Sequence, residues 1–154
     1  MIALASDHVG LALKQALLEY LEQEGVPCRD YGTFDTQRCH YPEYALAAAK
    51  AVSGGECRAG ILCCGTGVGM AIAANKVRSI RCVVCSDCYS AVLSRQHNDT
   101  NMLALGSQVV GPGLAKRIVE SWLSAEFEGG RHQIRLDQIR AIEVGGEIPP
   151  IEGR

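Results

Sequence analysis

The sequence predicts a doubly wound α/β fold, one parallel sheet of five strands with helices on both faces. Three observations carry this. Short, nearly continuous apolar runs recur along the chain, and each is followed by an amphipathic helical pattern. Five such pairs fit within 154 residues, about the size of one domain. Strands that are apolar throughout need cover on both faces, and right-handed crossovers supply it.

The elements follow in order. Met1 to Ala5 is a short apolar run. After Ser6-Asp7-His8 comes a helix with Leu13, Leu17, Tyr20 and Leu21 on one face, ended by Gly25. Val26 to Tyr31 reads as a strand, Pro42 to Val52 as an Ala-rich helix and Ala59 to Cys64 as a fully apolar strand. A third helix starts within Gly65 to Gly69. Ile80 to Cys85 is the next strand and Asp87 to Arg95 the next helix. Met102 to Leu105 is the fifth strand. Pro112 to Leu123 is its helix, with Pro in the first turn and Leu114, Ile118 and Trp122 aligned. Beyond Leu123, a loop and a short helix from about Gln133 to Glu143 lie outside the five units. The extension 126–144 carries Arg131, Arg135 and Arg140, and either packs on its own domain or reaches a second subunit. Residues 1–144 thus read as one domain and 145–154 as a Gly/Pro-rich tail. The final Ile151-Glu152-Gly153-Arg154 matches the recognition sequence of a tag-removing protease and is set aside.

Apolar residues make up 47% and charged residues 21%, which excludes disorder, collagen and coiled coil. Fifteen positive charges against 17 negative ones leave no broad cationic footprint for nucleic acid or anionic lipid. The expected partner is a metabolite. No window reaches the roughly 18 apolar residues of a membrane span. Asp7, His8, Lys14 and Glu19 stand where a signal peptide would be apolar, so the cytoplasm is expected. The eight cysteines then read as free thiols. Cys82, Cys85 and Cys88 form a C-x2-C-x2-C run resembling part of a metal ligand set. Against metal, Cys82 and Cys85 sit three apart on a strand, so they point to opposite faces, and no fourth ligand follows.

In such sheets ligands bind beyond the carboxyl ends of the strands, near the point where strand order reverses. The strongest local signal there is Cys63-Cys64-Gly65-Thr66-Gly67-Val68-Gly69, a strand entering a glycine turn and then a helix. Glycines leave amides unshielded, and the helix N-terminus favours an anion. Cys64 lies just before those amides, where a thiolate is stabilised, and its position fits a base or nucleophile as well as a residue that merely fills space. Cys63 fills space. A dinucleotide site is the rival reading. Its sixth position needs a small residue and here is Met70, although Asp87, 22 residues after Gly65, is the acidic residue such a site would use.

Asp7 and His8 follow the first strand, which in a flavodoxin-like order lies beside the third, so they could face Cys64. Capping the first helix is the default role for Asp7. His97, at the end of the fourth helix, reads as a general acid/base or a C-terminal cation. His40 and His132 stay ambiguous, and Arg131 and Arg135 suit a phosphate or the surface.

Taken together, Ser6-Asp7-His8, Tyr41-Pro42, the Cys64–Gly69 turn, Ala73-Ala74-Asn75-Lys76, Ser94-Arg95-Gln96-His97-Asn98-Asp99 and Gly129-Gly130-Arg131-His132 resemble the type B ribose-5-phosphate isomerase family, which also holds allose- and galactose-6-phosphate isomerases. The resemblance runs from residue 1 to about 144. It implies a Rossmann-like domain, a homodimer or tetramer with active sites shared between subunits, and a place in the pentose phosphate pathway. It implies Cys64 as the base moving a proton between C2 and C1 through an enediolate, with Thr66 and the amides of Gly65, Gly67 and Gly69 holding the oxyanion. It further implies His97, assisted by Asp7, as the ring-opening group, Asn98 and Tyr41 against the sugar, and His8, Arg131, His132 and Arg135 on the phosphate. No metal or organic cofactor is implied.

Two positions depart from the family. His40 stands where Asp is common, and Gln108 stands where Arg is usual in the phosphate clamp. A lost charge-assisted contact weakens phosphate binding by about 1.5 to 3 kcal/mol. That would widen the range toward six-carbon sugar phosphates or free aldoses. The reading outside enzymes is a nucleotide-binding regulatory module.

Overall fold

The structure is a computed structural model describing residues 1–148. The protease-type sequence Ile151–Arg154 and the end of the expected tail lie outside the described residues. Within them the chain forms β1 (Ile2–Ser6), α1 (Leu11–Gln23), β2 (Cys28–Asp30), α2 (Tyr41–Ser53), β3 (Ala59–Cys64), α3 (Val68–Ala74), β4 (Cys82–Val84), α4 (Cys88–Asn98), β5 (Met102–Gly106), α5 (Pro112–Ser124) and α6 (Arg131–Glu143). Every strand pair is parallel, as the uninterrupted apolar runs require.

The sheet order is β2-β1-β3-β5-β4. The first three strands stand as in a flavodoxin-like sheet, and the last two are exchanged. Burial explains the exchange: β5 is buried along its whole length and takes an inner place, whereas β4 is half exposed and takes the edge. Both edge strands are shorter than their apolar runs. At β4 the cause is visible, because side chains take the backbone groups. Asn75 donates to Cys82 O and accepts from Cys82 N–H, and Asn101 Oδ1 accepts from Arg81 N–H. Such amides blunt an edge that would otherwise pair with another strand.

Alternation along the strands divides the core in two. Ile2, Leu4, Ile61, Cys63, Leu103 and Leu105 face α1, α4 and α5, with Trp122 fully buried among them. Ala3, Ala5, Leu62, Cys64, Met102 and Ala104 face the small residues of α2 and α3. The neighbours Cys63 and Cys64 therefore point to opposite layers. So do Cys85 and Cys82, as their odd separation requires. Burial pushes the Cys85 thiol up to about 11 and the Cys82 thiol up to about 12, so both stay protonated at neutral pH.

Two close contacts tie the helices to the carboxyl ends of the strands. Gly10, just before α1, lies against β3, where a Cβ would overlap Cys63 O and come 2.7 Å from Cys64 N. Lys14 of α1 is 1% exposed, and its Nζ donates at 2.6 Å to both carboxylate oxygens of Asp30 and to Thr33 O. This buried cation anchors the segment that runs from β2 toward α2. Removing one partner of a buried ion pair strands the other charge. Lys14→Met is therefore expected to lower unfolding stability by about 3 kcal/mol in urea titration.

Candidate functional site

Cys64 is the last residue of β3 and is 5% exposed. Its sulfur accepts the Gly67 N–H at 3.1 Å. That contact needs the chain to reverse within three residues. Gly67, with φ +80, adopts the left-handed conformation that does so and opens α3 as its N-cap. The N-cap residue Gly67 has no side chain to cap α3, so the first-turn donors beyond Val68 have no side-chain cap. Thr66 is exposed at the mouth, its Oγ1 accepting from Val68 N–H at 3.4 Å. Its backbone rests on Gly106, where a Cβ would come 2.8 Å from Thr66 C.

The sides of this cleft come from three other loops. Register pairing puts Ser6 beside Cys63, so β1 delivers Asp7 and His8 next to Cys64. Asp7 Oδ1 accepts from Val9 N–H and Gly10 N–H at 3.0 and 2.9 Å and fastens the entry to α1. These bonds close the turn ahead of α1, whose N-cap Gly10 has no side-chain cap, so Asp7 holds that turn and does not take the expected capping role. His8 Nδ1 accepts the Cys39 N–H at 3.3 Å, which leaves Nε2 to carry a proton as a donor. Tyr41 lies over Gly69, where a Cβ would come 2.7 Å from the phenol ring. Gln108 N–H donates to Gly65 O at 3.0 Å, and its side-chain oxygen lies over the same glycine. Cys64, Gly65, Thr66, Gly67, Gly69, Asp7, His8, Tyr41 and Gln108 thus form one cluster.

The other predicted residues form a second cluster. The His97 and His132 rings stack with centroids 4.2 Å apart and planes 4° from parallel. Glu128 Oε2 lies 3.8 Å from His97 Nε2 and 3.6 Å from His132 Nε2. Arg131 Nε donates to His132 Nε2 at 3.4 Å. Burial holds the His132 imidazole below the usual histidine range, and charges on His97, Arg131 and Arg135 push the same way, while Glu128 opposes them. Asn98 is exposed, its carbonyl accepting from Arg81 Nε at 3.0 Å.

Within one chain the clusters sit at opposite ends of the sheet. Cys64 pairs with Gly106 at the carboxyl end of β5, whereas α4 runs back to deliver His97 and Asn98 just before Met102 at its start. Four strand residues separate the two levels, about 13 Å. The structure therefore does not bring His97 to Asp7 or Cys64 in a single subunit. Two cavities of about 260 and 480 Å³ lie under α6 against Arg81, and Cys64 lines neither.

Sequence reasoning passed over Glu128, whose position four residues before His132 was the available signal. It also passed over Cys39 against His8, for which no sequence signal exists. Asp87, the acidic residue of the dinucleotide reading, accepts from Ser90 N–H at 2.7 Å and caps α4. That bond holds its carboxyl below the usual range.

Among known proteins, a profile described as Ribose/Galactose Isomerase matches residues 2–139. Ribose-5-phosphate isomerase B of Escherichia coli is 58% identical over 142 residues, covering 92% of this chain and 95% of that protein. A Clostridium thermocellum ribose-5-phosphate isomerase B structure superposes with a TM-score of 0.93 at 49% identity, covering 94% and 97% of the two chains. A Mycoplasma genitalium ribose-5-phosphate isomerase B structure with bound ribulose-5-phosphate gives 0.89 at 39%, covering 93% and 95%. The match runs through all five strands and both clusters into α6: the chain belongs to the ribose/galactose isomerase family.

Proposed function

We propose that this protein is an aldose–ketose isomerase interconverting ribose 5-phosphate and ribulose 5-phosphate, with each active site assembled from two copies of the chain. The observation that carries the reading is the Cys64 sulfur held at 3.1 Å by the Gly67 amide, at the end of a buried strand and the start of a helix. A thiolate there takes the C2 proton, which the neighbouring carbonyl has made acidic, and returns it at C1. The negative charge moves onto oxygen as the enediolate forms. The amides of Gly65, Gly67 and Gly69, with the Thr66 hydroxyl, would meet it. Relatives named for this reaction support the substrate. The free thiols fit a reducing cytoplasm.

The opposed clusters favour assembly from two subunits. A second copy bringing its own α4 and extension 126–144 to the Cys64 cleft would supply His97 to open the furanose ring and Asn98 to hold the sugar hydroxyls. The same copy would supply Arg131 and Arg135 to the phosphate, opposite His8, with the buried His132 behind them, its Nε2 facing Glu128 and Arg131. Exposed apolar side chains suit such a contact: Val68 and Ile72 one turn apart on α3, Val84 on the edge strand and Tyr89 on α4.

Gln108 favours a weaker phosphate clamp. Its neutral amide lies over Gly65, where a guanidinium would add a charge-assisted bond.

Cys64→Ala is expected to lower kcat/KM for ribose 5-phosphate by about 10³-fold while the circular dichroism spectrum stays unchanged. Retained turnover would remove Cys64 as the base. Wild-type enzyme working in deuterated solvent should leave label at C1 of the ketose. Mixing Cys64→Ala with His97→Ala subunits should restore about a quarter of wild-type activity, since half the dimers are mixed and each has one intact site. No recovery after proven subunit exchange would place both residues in one chain's site. Gln108→Arg should lower KM for ribose 5-phosphate about tenfold and leave free ribose unaffected.

A further inference from the structure

Glu128 lies just ahead of α6, and its backbone ties it to α4: Glu128 N–H donates to Gln96 O at 3.0 Å. The anchor carries the carboxylate to the one edge where both stacked imidazoles present Nε2, at 3.8 Å from His97 and 3.6 Å from His132. These separations are slightly beyond hydrogen bonds, a spacing common in unliganded sites whose catalytic contacts tighten on binding. One carboxylate thus faces two imidazole nitrogens that compete for its lone pairs.

The surroundings of His132 sharpen the point. Its Nδ1 is buried with no hydrogen-bond partner, and the residue is 4% exposed. A proton on Nδ1 would leave a buried donor unsatisfied. A proton on Nε2 leaves only a bare lone pair inside and turns the N–H toward Glu128. Arg131 Nε pulls the other way, because it donates to that same Nε2. Glu128 and Arg131 therefore compete over which nitrogen of His132 holds the proton. In the reading above, Arg131 turns to the substrate phosphate when it binds, and the competition then falls to Glu128. Arg135 adds positive charge on the same side, and His97 from α4 adds any charge of its own. Among the described residues, Glu128 is the one negative group acting on His132. His97, Glu128 and His132 also form a metal-type donor set, with ligand atoms within 4.8 Å of one another. The guanidinium already on His132 Nε2 opposes a cation at that point, and the geometry favours proton placement.

From this arrangement we infer that Glu128 is a positioning residue: it keeps the protons of the His97–His132 pair on Nε2, so that His97 meets the sugar ring with a fixed tautomer and orientation. This rests on the proposed role of His97 in ring opening. The carboxylate touches neither phosphate nor sugar and acts only through the imidazoles, in the way that a buried carboxylate orients a catalytic histidine elsewhere.

Two measurements test it on the full-length protein. Long-range proton–nitrogen NMR reads the imidazole tautomers directly. Wild type should show His132 protonated on Nε2 once inorganic phosphate is added, and Glu128→Gln should shift it toward Nδ1. Steady-state kinetics with ribose 5-phosphate should show kcat down about tenfold or more in Glu128→Gln, KM within twofold of wild type, and part of kcat recovered in Glu128→Asp. An Nδ1 tautomer in phosphate-bound wild type overturns the inference, whether or not the variants fold. So does an unchanged kcat, or a loss confined to KM. The NMR result needs no turnover, so it stands apart from the isomerase reading, which would fail by wild type having no activity on this substrate.

Discussion

The contact between the Gly67 amide and the Cys64 sulfur is the interaction on which the rest of the molecule depends. It exists only because β3 turns into α3 within three residues, through a left-handed glycine. Close backbone packing holds that turn from both sides. Gly10 lies on the Cys63–Cys64 peptide and Gly106 lies under Thr66, and neither position has room for a methyl group. The start of α1, the end of β3 and the end of β5 therefore move together. Asp7 belongs to the same brace, since its Oδ1 accepts the Gly10 N–H and so fixes Gly10 against the strand that carries the sulfur.

Parallel strands impose the second constraint. Their carboxyl ends gather loops that can face a ligand, and their crossover helices return to the opposite end. Cys64 ends a strand and His97 ends a helix, so one chain separates them by the height of the sheet. In the proposed reaction, acid–base chemistry that uses both needs a second copy of the chain, whose extension after α5 would bring its groups. α6 is exposed along most of its length except at His132, which stacks on His97. It serves as a carrier for groups at one edge more than as a core helix.

The two clusters use different physics. Around Cys64 the donors are backbone amides and neutral side chains, set rigidly before substrate arrives. Around His97 the groups are ionic and in competition, with two imidazoles, one carboxylate and two guanidiniums sharing a few contacts. A rigid oxyanion cradle suits proton transfer at carbon. A balanced ionic cluster suits a step that must both release and accept a proton, as opening a hemiacetal does.

Residue patterns alone determined the α/β class, the five strands, and the opposite facing of Cys82 and Cys85. Each of these follows from local periodicity or from glycine's conformational freedom, which neighbours in sequence are enough to reveal. The exchange of β4 and β5 was not legible, because strand order depends on which strand is buried once all the helices are packed. The expected capping of α1 by Asp7 gave way to a bond in the turn before the helix, and the link this makes to the sulfur through Gly10 was not legible. Lys14 paired with Asp30, Cys39 against His8 and Glu128 between two imidazoles were settled only by tertiary structure, since each joins groups from different elements through space. The distance between His97 and Cys64 belongs there too: it follows from the direction of a helix relative to a sheet, which no spacing along the chain records.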